Sequence, residues 1–240
     1  MNYLRLAVAA LFASAFLMVP AGAGEPANPT FSPVPPGTVA QSQLVYLAGE
    51  ATHSQWRAVT SKKLVGSGNG MNFYQWYLSI YSIDGSTYRL RYQSPANGGP
   101  LEKVTQASGG AKMWYPIQDL SIRGVGEFTQ SGVQQLVVQS HEAGADCGGA
   151  IVSVFTANAN GGVVPAVSVR NGCELKATIT HSQSSTARDA IVLSGPYYNA
   201  TAPLCCPTKS KAVAVLSYRN GKWIETPRYY EMFVGKLPPS

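Results

Sequence analysis

Few stretches leave a chain less choice of secondary structure than the one from Phe73 to Tyr92. Tyr74, Trp76, Leu78 and Ile80 alternate with Phe73, Gln75, Tyr77, Ser79 and Tyr81. Asp84-Gly85 supplies a tight-turn signal, after which Tyr88, Leu90 and Tyr92 alternate with Arg89 and Arg91. A period of two on both sides of such a turn specifies an antiparallel hairpin. One face, with Trp76, Leu78 and Ile80, is expected in the core. The other is expected to carry Tyr77, Tyr81, Arg89 and Arg91 as an aromatic-basic surface.

The same grammar runs on toward the C-terminus. Strands are expected at Leu120–Ile122, Gln135–Gln139, Ala150–Phe155, Val163–Val169, Glu174–Ile179, Ala190–Leu193, Ala212–Tyr218 and Trp223–Ile224. Asn160-Gly161-Gly162, Asn171-Gly172, Ser182 to Ser185 and Asn220-Gly221 punctuate them as turns. Repeated short strands at this spacing imply a mainly β fold of antiparallel hairpins, as a sandwich or a propeller-like sheet. One N-terminal helix is allowed, from Thr38 to about Val59, on the partial stripe of Leu44, Val45, Leu47, Ala48 and Ala51. Gly66 to Gly70 is expected to be a flexible connector rather than a phosphate cradle, since no lysine follows it.

The first 23 residues read as a cleavable signal peptide. Arg5 precedes an apolar run from Leu6 to Val19, Pro20 breaks it, and Ala21-Gly22-Ala23 offers the small residues of a cleavage site. The apolar run is shorter than the roughly 20 residues of a spanning helix. The expected mature chain starts at Gly24, exported to the periplasm or the medium, with no transmembrane segment. Residues 24–37, with Pro26, Pro29, Pro33, Pro35 and Pro36, read as an extended tether. Residues 38–240 follow as one β-rich domain with a possible subdomain break near Pro116.

Only 12% of the 240 residues are charged, and the net charge of +6 is scattered. Lys62-Lys63 and Lys209-Lys211 are the clusters, without interleaved aromatics, which argues against a nucleic-acid partner. Export places Cys147, Cys173, Cys205 and Cys206 where disulfides persist. In an even hairpin turning at Asn160, Cys147 and Cys173 stand opposite each other, close enough to bond. Cys205 and Cys206 would then bond to each other. The alternative crosses the pairs, so that Cys147 and Cys173 each reach one of the adjacent cysteines.

Two surfaces compete for function. Ser140-His141-Glu142 with Asp146 puts a histidine, a hydroxyl and two acids on a loop at a strand end, so His141, Glu142 and Asp146 are candidates for a hydrolase or metal-dependent enzyme. The second histidine of a zincin motif is absent, and no serine sits in a nucleophile elbow. Tyr77, Tyr81, Arg89, Arg91, Tyr197 and Tyr198 are the candidate ligand platform, because sugars are held by aromatic faces beside hydrogen-bond donors. The favoured expectation is a non-enzymatic binding module for a protein, glycan or cell-envelope component.

Gly126-Glu127-Phe128-Thr129-Gln130-Ser131-Gly132-Val133-Gln134-Gln135 leads into Leu136-Val137-Val138, and Cys205-Cys206-Pro207-Thr208 leads into Ala212–Tyr218. With these elements, the segment from Ile122 to Glu225 resembles a group of bacterial exported proteins of unassigned function. The glycine loop also looks like the FG-GAP loops of calcium-binding propeller blades. It keeps Glu127 but has Gln130, Ser131, Gln134 and Gln135 where such loops carry acids. No metal or other cofactor is therefore expected.

Overall fold

The computed structural model describes residues 30–47, 55–68, 71–94, 117–142, 149–173, 175–184, 187–197 and 208–230. Their regular structure is strand throughout. The strands are β1 (Thr30–Ser32), β2 (Thr38–Val45), β3 (Trp56–Gly68), β4 (Met71–Asp84), β5 (Thr87–Gln93), β6 (Ile117–Gly126), β7 (Gln135–Glu142), β8 (Gly149–Ala157), β9 (Val163–Cys173), β10 (Lys176–Thr180), β11 (Ala190–Tyr197), β12 (Thr208–Arg219) and β13 (Lys222–Tyr230). They form three sheets, ordered β1-β5-β4-β3-β2, β6-β7-β8-β9 and β10-β11-β12-β13. Each is a four-stranded antiparallel meander, and the first also takes β1 in parallel at its edge.

The three meanders stack face to face. Leu136 and Val138 of β7 pack toward Trp56, Ala58, Leu78 and Ile80 of the first sheet. Val137, between them, packs toward Leu175, Ala177, Ile191 and Leu193 of the third. β7 and β8 of the middle sheet are thus buried on both faces, which explains why Leu136-Val137-Val138 and much of β8 read as apolar runs without alternation. With its shared middle layer, the stack has one sheet more than a two-sheet sandwich.

No helix forms in the described part of 38–59. Thr38, Val39 and Val45 are β-branched and suit a pleated surface, and β2 finds a long antiparallel partner in β3, from Val45 opposite Trp56 to Thr38 opposite Lys62. Pairing overrides a weak helical stripe. Gly66, Ser67 and Gly68 are likewise not a loose connector: they extend β3 into a hairpin whose last described pair is Gly68 with Met71. The end of the proline-rich tether is also engaged, since Phe31 of β1 packs its ring 4.9 Å from Tyr81 and 4.8 Å from Tyr88. Residues 95–116, around the possible break at Pro116, lie outside the described residues, as does the signal segment.

Asn220 and Gly221 carry the positive φ angles, 51° and 78°, that a two-residue hairpin turn between β12 and β13 demands. The β8–β9 hairpin starts in the even register, Thr156 opposite Val164. Two irregularities then bring Cys173 opposite Gly149, shifted from the even register. Cys147, Cys205 and Cys206 lie outside the described residues, and with them every cysteine pairing.

Candidate functional site

The first strands of the three meanders, β2, β6 and β10, come together along one side of the stack. Side chains tie them. The Ile122 amide donates to Gln41 Oε1 of β2 at 2.6 Å. Arg123 donates through Nε and Nη2, each at 3.0 Å, to the Ala177 carbonyl of β10. From β7, Gln139 accepts from the Ala177 amide at 3.0 Å and donates to the Leu175 carbonyl. Gln139 is fully buried, and it satisfies backbone groups of β10 much as another strand would. Between these strands runs a groove of about 530 Å³, with Gln43, Arg123, Val125, Lys176, Thr178 and His181 among its lining residues.

At one end the groove meets a second hollow of about 350 Å³ formed by the β6–β7 and β10–β11 loops. Val125 and His181 line both. Asp189, only 8% exposed, organises this end. Its Oδ1 accepts from the Ser182 amide at 2.9 Å, and its Oδ2 from the Glu127 amide at 2.8 Å. His181 Nδ1 lies 3.0 Å from the same Oδ2. Burial pushes the Asp189 carboxyl up, but hydrogen bonds from Ser182, Glu127 and His181 outweigh it and hold it below the ordinary carboxylate value. Gly126 is required here: an added Cβ would sit 2.5 Å from the Phe128 ring and 3.0 Å from Asp189 Oδ2.

The two loops repeat one device. Gln135 Oε1 accepts from the Phe128 amide seven residues earlier at 2.9 Å, as Asp189 does from Ser182, also seven residues earlier. The middle and third meanders are each also latched to the one before at the same place. Gln134 Oε1 accepts from the Tyr46 amide, just after β2, at 3.3 Å, and Asp189 accepts from Glu127, just after β6. Two glutamines in one loop thus divide the work that Asp189 performs alone in the next. Within the glycine loop, Glu127 Oε2 accepts from the Gly132 amide at 3.0 Å and Gln135 donates to Thr129 Oγ1 at 2.6 Å. These polar side chains brace their own turn, and among the described residues no group of three metal-ligating side chains gathers.

His141 pairs with an acid that the sequence did not single out. Its Nδ1 lies 2.8 Å from Asp119 Oδ1 of β6, and its Nε2 lies 3.0 Å from Gln139 Nε2 and 3.4 Å from the Leu175 carbonyl. The hydrogen bond to Asp119 raises the imidazole pKa, against the opposing pull of burial. Glu142 ends β7, its side chain outside the described set, and Asp146 lies outside the described residues.

The proposed tyrosine platform is divided. Tyr81 is fully buried with Val59 and Tyr88, because the Phe31 ring of β1 packs onto its face of the sheet, 4.9 Å away. Tyr77 is half-buried and donates its hydroxyl to Gln75 Oε1 at 2.7 Å. Arg89 is exposed and pairs with Asp84 at 2.9 Å, while Arg91 Nε donates to Ser82 Oγ at 2.8 Å. Tyr197 ends β11, its side chain outside the described set, and Tyr198 lies outside the described residues. Gln43, Arg123, Lys176 and Asp189 were not singled out by the sequence. Of these only Asp189 carried a signal, the recurrence of a polar residue opening an apolar strand in Gln135-Leu136-Val137-Val138 and Asp189-Ala190-Ile191-Val192.

Comparison of the chain with protein-family models finds no match, and none is found with curated proteins or with solved structures.

Proposed function

We propose that the protein is an exported, non-enzymatic binding module whose ligand seats in the groove along β2, β6 and β10. The observation that carries this is the groove itself. Its volume falls within the roughly 300–1,000 Å³ of small-ligand sites, and its walls are held by Gln41, Arg123 and Gln139 bonding to backbone. A seat built this way loses little conformational freedom on binding. Export rests on the leader pattern of residues 1–23, and the described residues contain no helix long and apolar enough to cross a membrane.

The test is retention of glycan and envelope fractions on the immobilised chain. Thr178 is exposed and lines the groove, so Thr178→Trp should abolish retention while Tyr77→Ala leaves it unchanged. Loss with Tyr77→Ala and none with Thr178→Trp would move the seat to the tyrosine face and sink the groove.

An acid–base role is favoured by one observation, the pairing of His181 Nδ1 with a carboxylate kept ionised, which leaves Nε2 as the nitrogen directed away from Asp189. In this role water is the attacking group. Hydrolysis of any ester or glycoside that is lost in His181→Ala would establish this role; a panel left intact by the parent chain would dismiss it.

A further inference from the structure

Building on the groove as the ligand seat, we infer that its ligand is an acidic oligosaccharide, a sugar chain bearing carboxylates.

The first ground is charge. Arg123, Lys176 and His181 all line the groove, and no Asp or Glu is among the described residues that line it. In a chain with only 12% charged residues, three basic side chains from two neighbouring strands and the loop after them are a local concentration. A concave site lined by one sign of charge focuses its field on an incoming counter-charge. Arg123 is set in advance: two of its five N–H groups grip the Ala177 carbonyl, which fixes the guanidinium plane and leaves the remaining donors for a ligand. His181 is oriented in the same way through Nδ1 by Asp189.

The second ground is direction. The acids nearby belong to the adjoining hollow, where Glu127 and Asp189 sit. Asp189 is occupied by three donors and Glu127 by Gly132. An anion therefore meets Lys176 and Arg123 in the groove and is turned away from that acidic end.

The third ground is what lies between the cations. Val125 and Ile179 present partly buried apolar surface, while Gln43 and Thr178 offer an amide and a hydroxyl. A sugar ring has the matching parts, C–H faces for the aliphatic wall and hydroxyls for the neutral polar groups. Single-stranded nucleic acid is a poor fit, because its binding relies on aromatic platforms for the bases and the described lining has none.

The experiment is calorimetric titration of the full chain with trigalacturonate, its methyl ester, hexaglutamate and inorganic phosphate. Trigalacturonate should bind, weaken as salt is raised, and bind about tenfold less tightly to Lys176→Gln, the loss of one charge-assisted hydrogen bond. Lys176 is exposed, so the variant should keep the parent's circular dichroism spectrum and melting temperature. Equal binding of the methyl ester would overturn carboxylate recognition. Equal or tighter binding of hexaglutamate or phosphate would overturn the sugar. In either case retention of an envelope fraction that Thr178→Trp abolishes would leave the module standing. If trigalacturonate fails to bind while that retention persists, the acidic sugar alone is wrong; if both fail, the groove is not a ligand seat.

Discussion

Asp189 and His141 have surroundings that move their pKa values in opposite directions, each toward its charged form. Asp189 is held ionised by amides from two loops, so its carboxylate is a structural member of the site. His141 is held toward the imidazolium by Asp119, with Arg123 opposing weakly. Because the folded-state pKa of His141 lies above its ordinary value near 6.5, its contribution to stability is complete below that pH. It is lost as pH rises through the folded-state value. Urea midpoints measured from about pH 6 to about pH 8.5 should therefore fall for the parent chain. Asp119→Asn should remove that part of the slope, and an unchanged slope would mean that the pair does not couple to folding.

At the scale of strands and loops, hydrogen bonds from side chains do what strand pairing cannot. Gln139 is a member of β7, yet it completes the backbone of β10 in the neighbouring sheet. Gln139→Leu keeps the volume approximately but strands the Ala177 amide and leaves the Leu175 carbonyl only the 3.4 Å contact with His141, both at buried residues. A cost of about 1–3 kcal/mol for each group is expected in chemical denaturation, and a neutral result would show that water takes over both roles. The sequence made such elements unequally legible. Period-two alternation located β4 and β5, and Gly, Asn and Asp marked the turns, because these signals are local. β2 was misread as helix because its strand character comes from pairing with β3, a contact between segments. Tyr81 was misplaced because Phe31, from a segment more than forty residues away, covers the face it stands on. The groove was invisible for a related reason: Gln43, Arg123 and Lys176 stand on three separate strands, and only the stacking of meanders brings them to one place.

Across the whole molecule, two hydrophobic clusters share one sheet. Leu136 belongs to the cluster between the first and middle sheets, and Leu193 to the one between the middle and third. Leu136→Ala and Leu193→Ala should each cost about 2–5 kcal/mol. Both should lower the same thermal transition, since neither outer meander can leave without exposing a face of the middle one. Two separable transitions in calorimetry, each sensitive to one variant, would show that the layers melt independently. The sandwiched position of β7 and β8 also bears on how this chain can vary over generations. A residue in an outer sheet answers to one neighbour and to solvent, so drift there can be absorbed by a single compensating change. In the middle sheet, adjacent residues answer to opposite neighbours. A shift in strand phase there would mismatch both sides at once, and a library of random variants should find its least forgiving positions in those two strands.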